Sequence, residues 1–156
     1  MTKDIQVVAF RIGRELFGVP IDLVHEIVRV PEITAVPDAP EYLEGVINLR
    51  GKIISVLDLR KRFREARVEP SRKNRILVAE VEKRMVGLIV DAATEVIRLP
   101  QSEIAAPPAA FEENEIRYVT GVGKLNGRLV ILIDLAKIVQ QGELRRLEDV
   151  AVPAMA

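Results

Sequence analysis

The sequence contains a repeated stretch, which appears first as Gly45-Val46-Ile47-Asn48-Leu49-Arg50-Gly51-Lys52-Ile53-Ile54-Ser55-Val56-Leu57-Asp58-Leu59-Arg60-Lys61 and again as Gly121-Val122-Gly123-Lys124-Leu125-Asn126-Gly127-Arg128-Leu129-Val130-Ile131-Leu132-Ile133-Asp134-Leu135-Ala136-Lys137. Both copies open with Gly-Val, contain Leu-x-Gly before a mostly apolar run, and close with Asp-Leu-x-Lys. Most of the other positions exchange one apolar residue for another. The stretch therefore has the features of an internal duplication.

An earlier pair of segments matches in the same order. Gly18-Val19-Pro20-Ile21-Asp22 precedes Glu26-Ile27-Val28-Arg29-Val30-Pro31, and Gly87-Leu88-Ile89-Val90-Asp91 precedes Glu95-Val96-Ile97-Arg98-Leu99-Pro100. One such match could arise by chance, but two matches in the same order indicate that the chain was duplicated. The second copy carries a longer connector, from Gln101 to about Arg117.

Apolar segments bounded by turn residues predict four β-hairpins, two in each copy. Asn126-Gly127 strengthens one of them, because a type I′ turn requires positive φ at both central positions. Short strands with frequent turns indicate small barrels or a sandwich. The predicted hairpins are Ile5 to Ile12 with Glu15 to Pro20, Gly45 to Leu49 with Lys52 to Leu57, Arg75 to Glu82 with Met85 to Asp91, and Val119 to Leu125 with Arg128 to Ile133.

Two helical segments are also predicted. The apolar residues between Ile21 and Val28 have helical spacing, which predicts a helical turn starting near Asp22. The apolar residues between Ala136 and Val150 predict a helix packed on the barrels, with a partner-binding helix as the alternative. Residues 151–156 are expected to fray.

The composition favours a binding module over an enzyme. A chain of 156 residues is long enough for one domain, or for two small lobes with a shared core. Cysteine is absent, which excludes disulfides and thiolate catalysis and fits a reducing, cytoplasmic compartment. One histidine, His25, and three serines leave little material for a catalytic triad or a metal site. No catalytic residue, metal or cofactor is expected.

A basic run from Arg60 to Arg75 contains one aromatic residue, Phe63. A single-strand binder needs a basic groove with interleaved aromatic rings, so a nucleic-acid-binding barrel is a candidate. The formal net charge of zero argues against it. The run is better explained as a solvated short helix and loop between the lobes.

Asp58 and Asp134 occupy the same place in the two copies. Paired carboxylates can perform acid–base chemistry. An aspartate at the end of a strand can also cap the helical turn that follows it, and we expect this structural role here.

Arg50 stands where the second copy has Asn126. If the two turns share a backbone, Arg50 takes a positive φ that asparagine adopts more easily. A local misfit of this kind either marks a functional residue or reflects a slightly different turn with a solvated arginine.

The stretch from Gly45 to Arg60, with Asn48-Leu49-Arg50-Gly51 at its centre, resembles the signature of the CheW family of bacterial chemotaxis coupling proteins. The resemblance spans most of the chain. It includes Phe10-x-Ile12, Phe17-Gly18-Val19, His25-Glu26-Ile27, Val86-Gly87-Leu88-Ile89-Val90-Asp91 and Tyr118-Val119-Thr120-Gly121-Val122-Gly123.

The resemblance implies a mostly β fold of two SH3-like five-stranded β-barrels around a shared apolar core, with short helices and a C-terminal helix. A single domain would cover residues 1–150, with intertwined lobes at about 15–80 and at 81–135 plus the N-terminal strand. Members of the family link chemoreceptors, the methyl-accepting chemotaxis proteins, to the histidine kinase CheA. They dock on the regulatory domain of the kinase, and no catalysis is implied.

The resemblance also implies a receptor-binding surface and a location at membrane receptor arrays, without direct membrane insertion. Four residues fall where family members contact or affect receptor binding: Val24, Glu26, Gly45 and Arg50. Three others would complete an apolar groove for the receptor's helical tip: Val8, Ile21 and Ile27. Asn48 belongs to the same predicted surface. Residues that bind the kinase are not assigned.

Two alternatives to chemotaxis remain open from the sequence. A coupling protein of a related non-flagellar motility pathway, such as gliding or pilus-based motility, would have the same features. A small-barrel nucleic-acid binder would use the basic run.

Overall fold

The hairpins predicted from the sequence account for more than half of the residues that the structure describes. A computed structural model describes residues 4–39, 43–63, 71–107 and 118–138. Its elements in chain order are β1 (Asp4–Ile12), β2 (Glu15–Pro20), β3 (Val24–Arg29), β4 (Leu43–Leu49), β5 (Lys52–Asp58), α1 (Leu59–Arg62), β6 (Arg75–Val81), β7 (Arg84–Val90), β8 (Ala92–Pro100), β9 (Ile104–Ala105), β10 (Val119–Leu125), β11 (Arg128–Ile133) and α2 (Leu135–Ile138). Short 3-10 turns at Ile21–Leu23 and Gln101–Glu103 follow Pro20 and Pro100. The four predicted hairpins are confirmed.

The strands form two sheets that exchange segments between the two copies of the repeat. The first sheet has the order β8-β1-β2-β11-β10-β9, and the second has the order β3-β6-β7-β5-β4. The copies correspond strand by strand, since β2 pairs in parallel with β11 and β7 pairs in parallel with β5. The first sheet therefore combines the β1–β2 hairpin of the first copy with β8 to β11 of the second copy. The second sheet combines the β6–β7 hairpin of the second copy with β3, β4 and β5 of the first copy.

Because of this exchange, the lobe boundaries expected near residues 15 and 80 do not coincide with the sheets. β2 belongs to the first sheet with β1, and β7 belongs to the second sheet with β6. A hairpin is a local unit and stays in one sheet, so the chain changes sheets after Pro20 and after Val90. The sequence pattern shows the hairpins but does not show where the chain changes sheets.

Each sheet encloses a small core, and a third core lies between the sheets. The first sheet alone supplies the core that contains Val7, Leu99 and Val130. The second sheet alone supplies the core that contains Ile47 and Ile76. The shared core, which takes residues from both sheets and both helices, contains Val8, Phe10, Ile12, Phe17, Val19, Leu43, Leu57, Leu59, Leu77, Ala79, Val81, Val86, Leu88, Val90, Ile133, Leu135 and Ile138.

The helical turn predicted near Asp22 is present, but the helical spacing of the apolar residues that follow it is wrong. Only Ile21–Leu23 forms a 3-10 turn, and residues 24–29 form β3. A register shift between Val24 and Glu26 inserts a bulge opposite β6. Val24 and Ile27 pair with Ala79 and Leu77, which both face the shared core, so residues three apart point to one face. A bulge produces that spacing in a strand, and the spacing therefore resembled that of a helix.

Both aspartates cap the short helices, as predicted. Asp58 Oδ1 accepts the backbone N–H of Arg60 at 2.9 Å, and Asp134 Oδ1 accepts the backbone N–H of Ala136 at 2.9 Å. Of the predicted C-terminal helix, only α2 as far as Ile138 lies within the described residues, and the rest of it lies outside them.

The first residue of the basic run is buried, which corrects the expectation that the whole run is solvated. Arg60 is 6% exposed and donates to Asp58 through Nε and Nη2, both at 3.0 Å. Its Nη1 lies 3.3 Å from Asp91 Oδ1 and from Asn74 Oδ1. Asp91 also accepts the backbone N–H of Gly13 in the β1–β2 turn at 2.7 Å. Through Asp91, Arg60 thus links the second sheet to the β1–β2 hairpin of the first sheet.

The charges around Arg60 compensate for its burial. Desolvation alone would lower the pKa of the Arg60 guanidinium. The hydrogen bonds and negative charges of Asp58, and then of Asp91, outweigh desolvation and raise the pKa above its ordinary value. Arg60 is therefore held as a cation at the point where the two sheets meet.

Candidate partner-binding site

The turn between β4 and β5 has the backbone that the sequence comparison predicted. Arg50 and Gly51 have φ angles of 51° and 85°, and Leu49 pairs with Lys52 to close the hairpin. These are the features of a two-residue type I′ turn. Asn48 Oδ1 accepts the backbone N–H of Gly51 at 2.8 Å. Arg50 therefore occupies the apex of a tight turn braced by a side chain.

Positive φ by itself does not distinguish this turn. Asn126 and Gly127 have φ angles of 50° and 79°, as their sequence predicts. Glu82 and Lys83, between β6 and β7, also have positive φ angles, of 50° and 68°. A strained backbone at Arg50 is therefore not sufficient evidence of a site, and it is the side-chain contacts of Arg50 that distinguish it.

Arg50 makes a bidentate ion pair with Glu26 of β3. Its Nη1 donates to Glu26 Oε1 at 3.0 Å, and its Nη2 donates to Oε2. The Arg50 side chain is 70% exposed and that of Glu26 is 29% exposed. The two-point geometry fixes the direction of the guanidinium while leaving most of it accessible to a partner.

The pairing changes the titration of Glu26. The hydrogen bond from Arg50 lowers the pKa of Glu26 below its ordinary value of 4.5, and burial opposes this effect. The charges of Arg50 and His25 lower the pKa further. A carboxyl whose pKa is depressed on folding stabilises the protein above its unfolded pKa, and that stabilisation is lost as the pH falls through the folded value.

We therefore expect Arg50→Ala to raise the pKa of Glu26 toward 4.5. The measurement is an NMR titration of the Glu26 side-chain carboxyl in both proteins. The difference in stability between them should shrink as the pH falls through the wild-type midpoint, because Glu26 then becomes protonated. An unchanged midpoint in the variant would show that the ion pair does not persist in solution.

The second copy contains a comparable ion pair that the sequence analysis did not predict. Arg128 Nη2 donates to Glu95 Oε1 at 3.1 Å, and the two side chains are 46% and 50% exposed. Glu95 aligns with Glu26, which was the signal available in the sequence. Arg128 aligns with Lys52, so only the first copy places the cation on the turn itself.

The apolar residues assigned to the receptor groove differ in exposure. Val8 is 4% exposed in the shared core, and Ile21 and Val24 are partly buried against that core. Ile27 is 41% exposed and lies on the same face of β3 as Val24. The structure thus brings Ile21, Val24 and Ile27 to the margin of the shared core, whereas Val8 lies beneath the surface.

Gly45 has a backbone role that its assignment to the receptor surface did not include. Its φ is 145°, and a Cβ at this position would lie 2.0 Å from the backbone oxygen of Thr34. Thr34 and Val46 exchange two backbone hydrogen bonds of 2.9 Å beside this glycine. Gly45 permits this close approach of the 31–35 segment to β4.

No group of three or more His, Asp or Glu residues in the described ranges is arranged to hold a metal ion. No helix in this part of the chain combines the length and apolar character needed to span a bilayer.

Comparison with known proteins identifies the family. The family model of the CheW-like domain matches residues 6–143, which include both sheets and the Glu26–Arg50 pair. The chain belongs to the CheW-like domain family. The family that the signature around Asn48-Leu49-Arg50-Gly51 suggested is therefore confirmed.

Relatives in the family match over most of their length. The chain is 34% identical over 151 residues to chemotaxis protein CheW of Treponema pallidum, covering 94% of this chain and 89% of that protein. It is 29% identical over 140 residues to protein FrzA of Myxococcus xanthus, covering 87% of this chain and 86% of that protein.

A solved structure in the family supports the fold. The scaffolding protein TtCheW from Thermoanaerobacter tengcongensis superposes with a TM-score of 0.80 at 37% identity, covering 90% of this chain and 96% of that one. The predicted fold class of two SH3-like β domains is confirmed. The first sheet has six strands rather than the five expected, because the two-residue strand β9 pairs with β10.

Proposed function

We propose that this protein is a non-catalytic adaptor that couples chemoreceptors to the histidine kinase CheA. The observation that carries the proposal is the exposed, bidentate Arg50–Glu26 pair on the β4–β5 hairpin of a CheW-like domain. The relatives named as chemotaxis proteins and the scaffolding protein of similar structure support it.

The site suits a helical partner. The partly buried Ile21 and Val24 and the exposed Ile27 offer apolar area at the margin of the shared core. An amphipathic helix can lay its apolar face on such a surface, while the charge pair at Glu26 of the same strand selects its register. The partner would be the cytoplasmic helical tip of a receptor, which places the adaptor in the cytoplasm beside membrane receptor arrays.

A second candidate is the same coupling role in a non-flagellar motility pathway, and the similarity to protein FrzA favours keeping it. Deleting the gene and scoring both swimming and surface motility separates the two. The nucleic-acid alternative loses support, because Phe63 stacks on Tyr118 with ring centroids 5.0 Å apart and Arg60 is buried. Neither side chain is free to form the surface that a single strand would need.

The direct experiment is co-sedimentation with receptor-containing membranes, with and without CheA. We expect the protein to sediment with the membranes and to make kinase activity responsive to the receptor. If it joins neither receptor nor kinase, and kinase activity does not depend on it, the proposal fails.

Arg50→Ala should weaken receptor binding by about tenfold or more, because the partner loses a charged, oriented hydrogen-bond donor. Its melting temperature should stay within about 3 °C of the wild type, because the side chain is largely exposed. Binding to a receptor-tip fragment, measured by calorimetry, gives the first value, and a thermal melt gives the second.

Arg128→Ala is the matched control for this prediction. It removes the comparable ion pair of the second copy, on the other sheet. It should leave receptor binding within about twofold of the wild type. Equal losses in the two variants would mean that a general change of surface charge, rather than the β4–β5 hairpin, determines binding.

A further inference from the structure

We propose that Asn48 is a positioning residue, whose side-chain oxygen braces the β4–β5 turn so that Arg50 is held at its apex against Glu26. Asn48 then acts through Arg50 and need not touch the partner. The proposal concerns the ion pair itself, and only its second test rests on the proposed function.

The two copies show why a brace is needed. In the second copy Arg128 pairs with Glu95 from a strand position, where its backbone is extended, and Asn126 occupies the turn. In the first copy the pairing arginine occupies the turn itself, with φ of 51°. Asparagine adopts positive φ readily, whereas arginine does so with greater strain. The first turn therefore needs support that the second does not.

Of the two aligned turns, only the first has this support. Asn48 Oδ1 accepts the N–H of Gly51, which fixes the turn from the strand side. The residue that aligns with Asn48 is Lys124, and an ammonium group has no acceptor for such a bond. The brace and the strained arginine thus occur together in one copy, and both are missing from the aligned turn.

Moving the arginine to the turn changes what the surface presents. The Arg50 side chain is 70% exposed, compared with 46% for Arg128, although both pair with an aligned glutamate. An arginine at the apex extends further toward a partner, and its bidentate contact keeps one orientation. Asn48 therefore contributes by reducing the number of directions that Arg50 samples before binding, which is preorganisation.

The first test measures the ion pair in the free protein. Glu26 is titrated by NMR in the wild type, Asn48→Ala, Asn48→Ser and Lys124→Ala. We expect the Glu26 midpoint to rise in Asn48→Ala, because a loosened turn weakens the contact with Arg50. It should lie nearer the wild type in Asn48→Ser, whose hydroxyl keeps an oxygen acceptor without adding a charge, and be unchanged in Lys124→Ala. A wild-type midpoint in Asn48→Ala would overturn the proposal.

The second test measures binding to a receptor-tip fragment by calorimetry. Asn48→Ala should weaken binding about three- to tenfold in the wild-type background and have no further effect in Arg50→Ala. An equal loss in both backgrounds would show that Asn48 contacts the partner itself, and would overturn the positioning role. If the wild type does not bind the fragment, the proposed function fails, whereas the Glu26 titration still decides the role of Asn48.

Discussion

Gly45→Ala is expected to lower the free energy of unfolding by about 3–5 kcal/mol, the largest single-residue effect we predict for a surface hairpin. A Cβ at this position would lie 2.0 Å from the backbone oxygen of Thr34, and backbone atoms cannot move aside as a flexible side chain can. The φ of 145° adds strain, since L-residues rarely adopt it. Urea denaturation monitored by circular dichroism provides the measurement.

Gly127→Ala is the control that separates the clash from the backbone strain. Gly127 has φ of 79°, and a Cβ there would meet nothing within 4 Å. Its replacement should cost only about 1 kcal/mol, from the conformational preference of the residue. Similar losses in the two variants would mean that the contact between Thr34 and β4 does not determine the stability of this hairpin.

The close approach of Thr34 to Gly45 changes how variants at Gly45 should be interpreted. A substitution here would displace the 31–35 segment that Thr34 anchors to Val46. Loss of receptor binding in such a variant would then follow from a distorted hairpin rather than from a missing contact. The fraction of folded protein has to be measured before any binding constant is compared with that of Arg50→Ala.

Arg60→Met should destabilise the protein by about 3–5 kcal/mol, because it leaves two carboxylates without their cation at a largely buried position. Asp58 is 1% exposed and makes two hydrogen bonds with the Arg60 side chain. Methionine keeps much of the aliphatic length, so the loss reports the charge and the hydrogen bonds more than the packing. Chemical denaturation of the variant and the wild type gives the difference.

Arg128→Met is the matched comparison, because it breaks an exposed pair with Glu95 instead of a buried one. Exposed pairs contribute about 0.2–1 kcal/mol, so we expect a small loss. If Arg60→Met cost no more than this, the buried network would not be what joins the sheets. Because Asp91 also binds the β1–β2 turn through Gly13, exchange of the amides in that turn should increase in Arg60→Met.

Local chemistry explains which features could be predicted from the sequence. The Asn126-Gly127 turn and the capping aspartates depend on residues close in the chain, and both were predicted correctly. The apolar spacing after Asp22 resembled that of a helix because a bulge in β3 places Val24 and Ile27 on one face. The burial of Arg60 was not predicted, because a basic run gives no sign that Asp91 will be its partner.

The candidate site also has some features that could be predicted from the sequence and others that depend on distant contacts. Arg50 was selected because its turn aligned with an Asn-Gly turn, and its positive φ was confirmed. The family resemblance implied Glu26 as part of the surface, and the structure adds its bidentate contact with Arg50. Neither the aligned turns nor the family resemblance predicted the backbone requirement at Gly45 or the burial of Val8. Both depend on which segments lie alongside these residues in the folded protein.

The sequence by itself determined the duplication, the hairpins and the family, because turn chemistry and strand patterning act over a few residues and recur in both copies. Only the tertiary structure decided that the copies exchange hairpins between the sheets, that Arg50 pairs with Glu26 and that Arg60 pairs with Asp91. These pairs lie 24 and 31 residues apart in the chain. Contacts at that separation depend on how the sheets pack, and no local pattern encodes them.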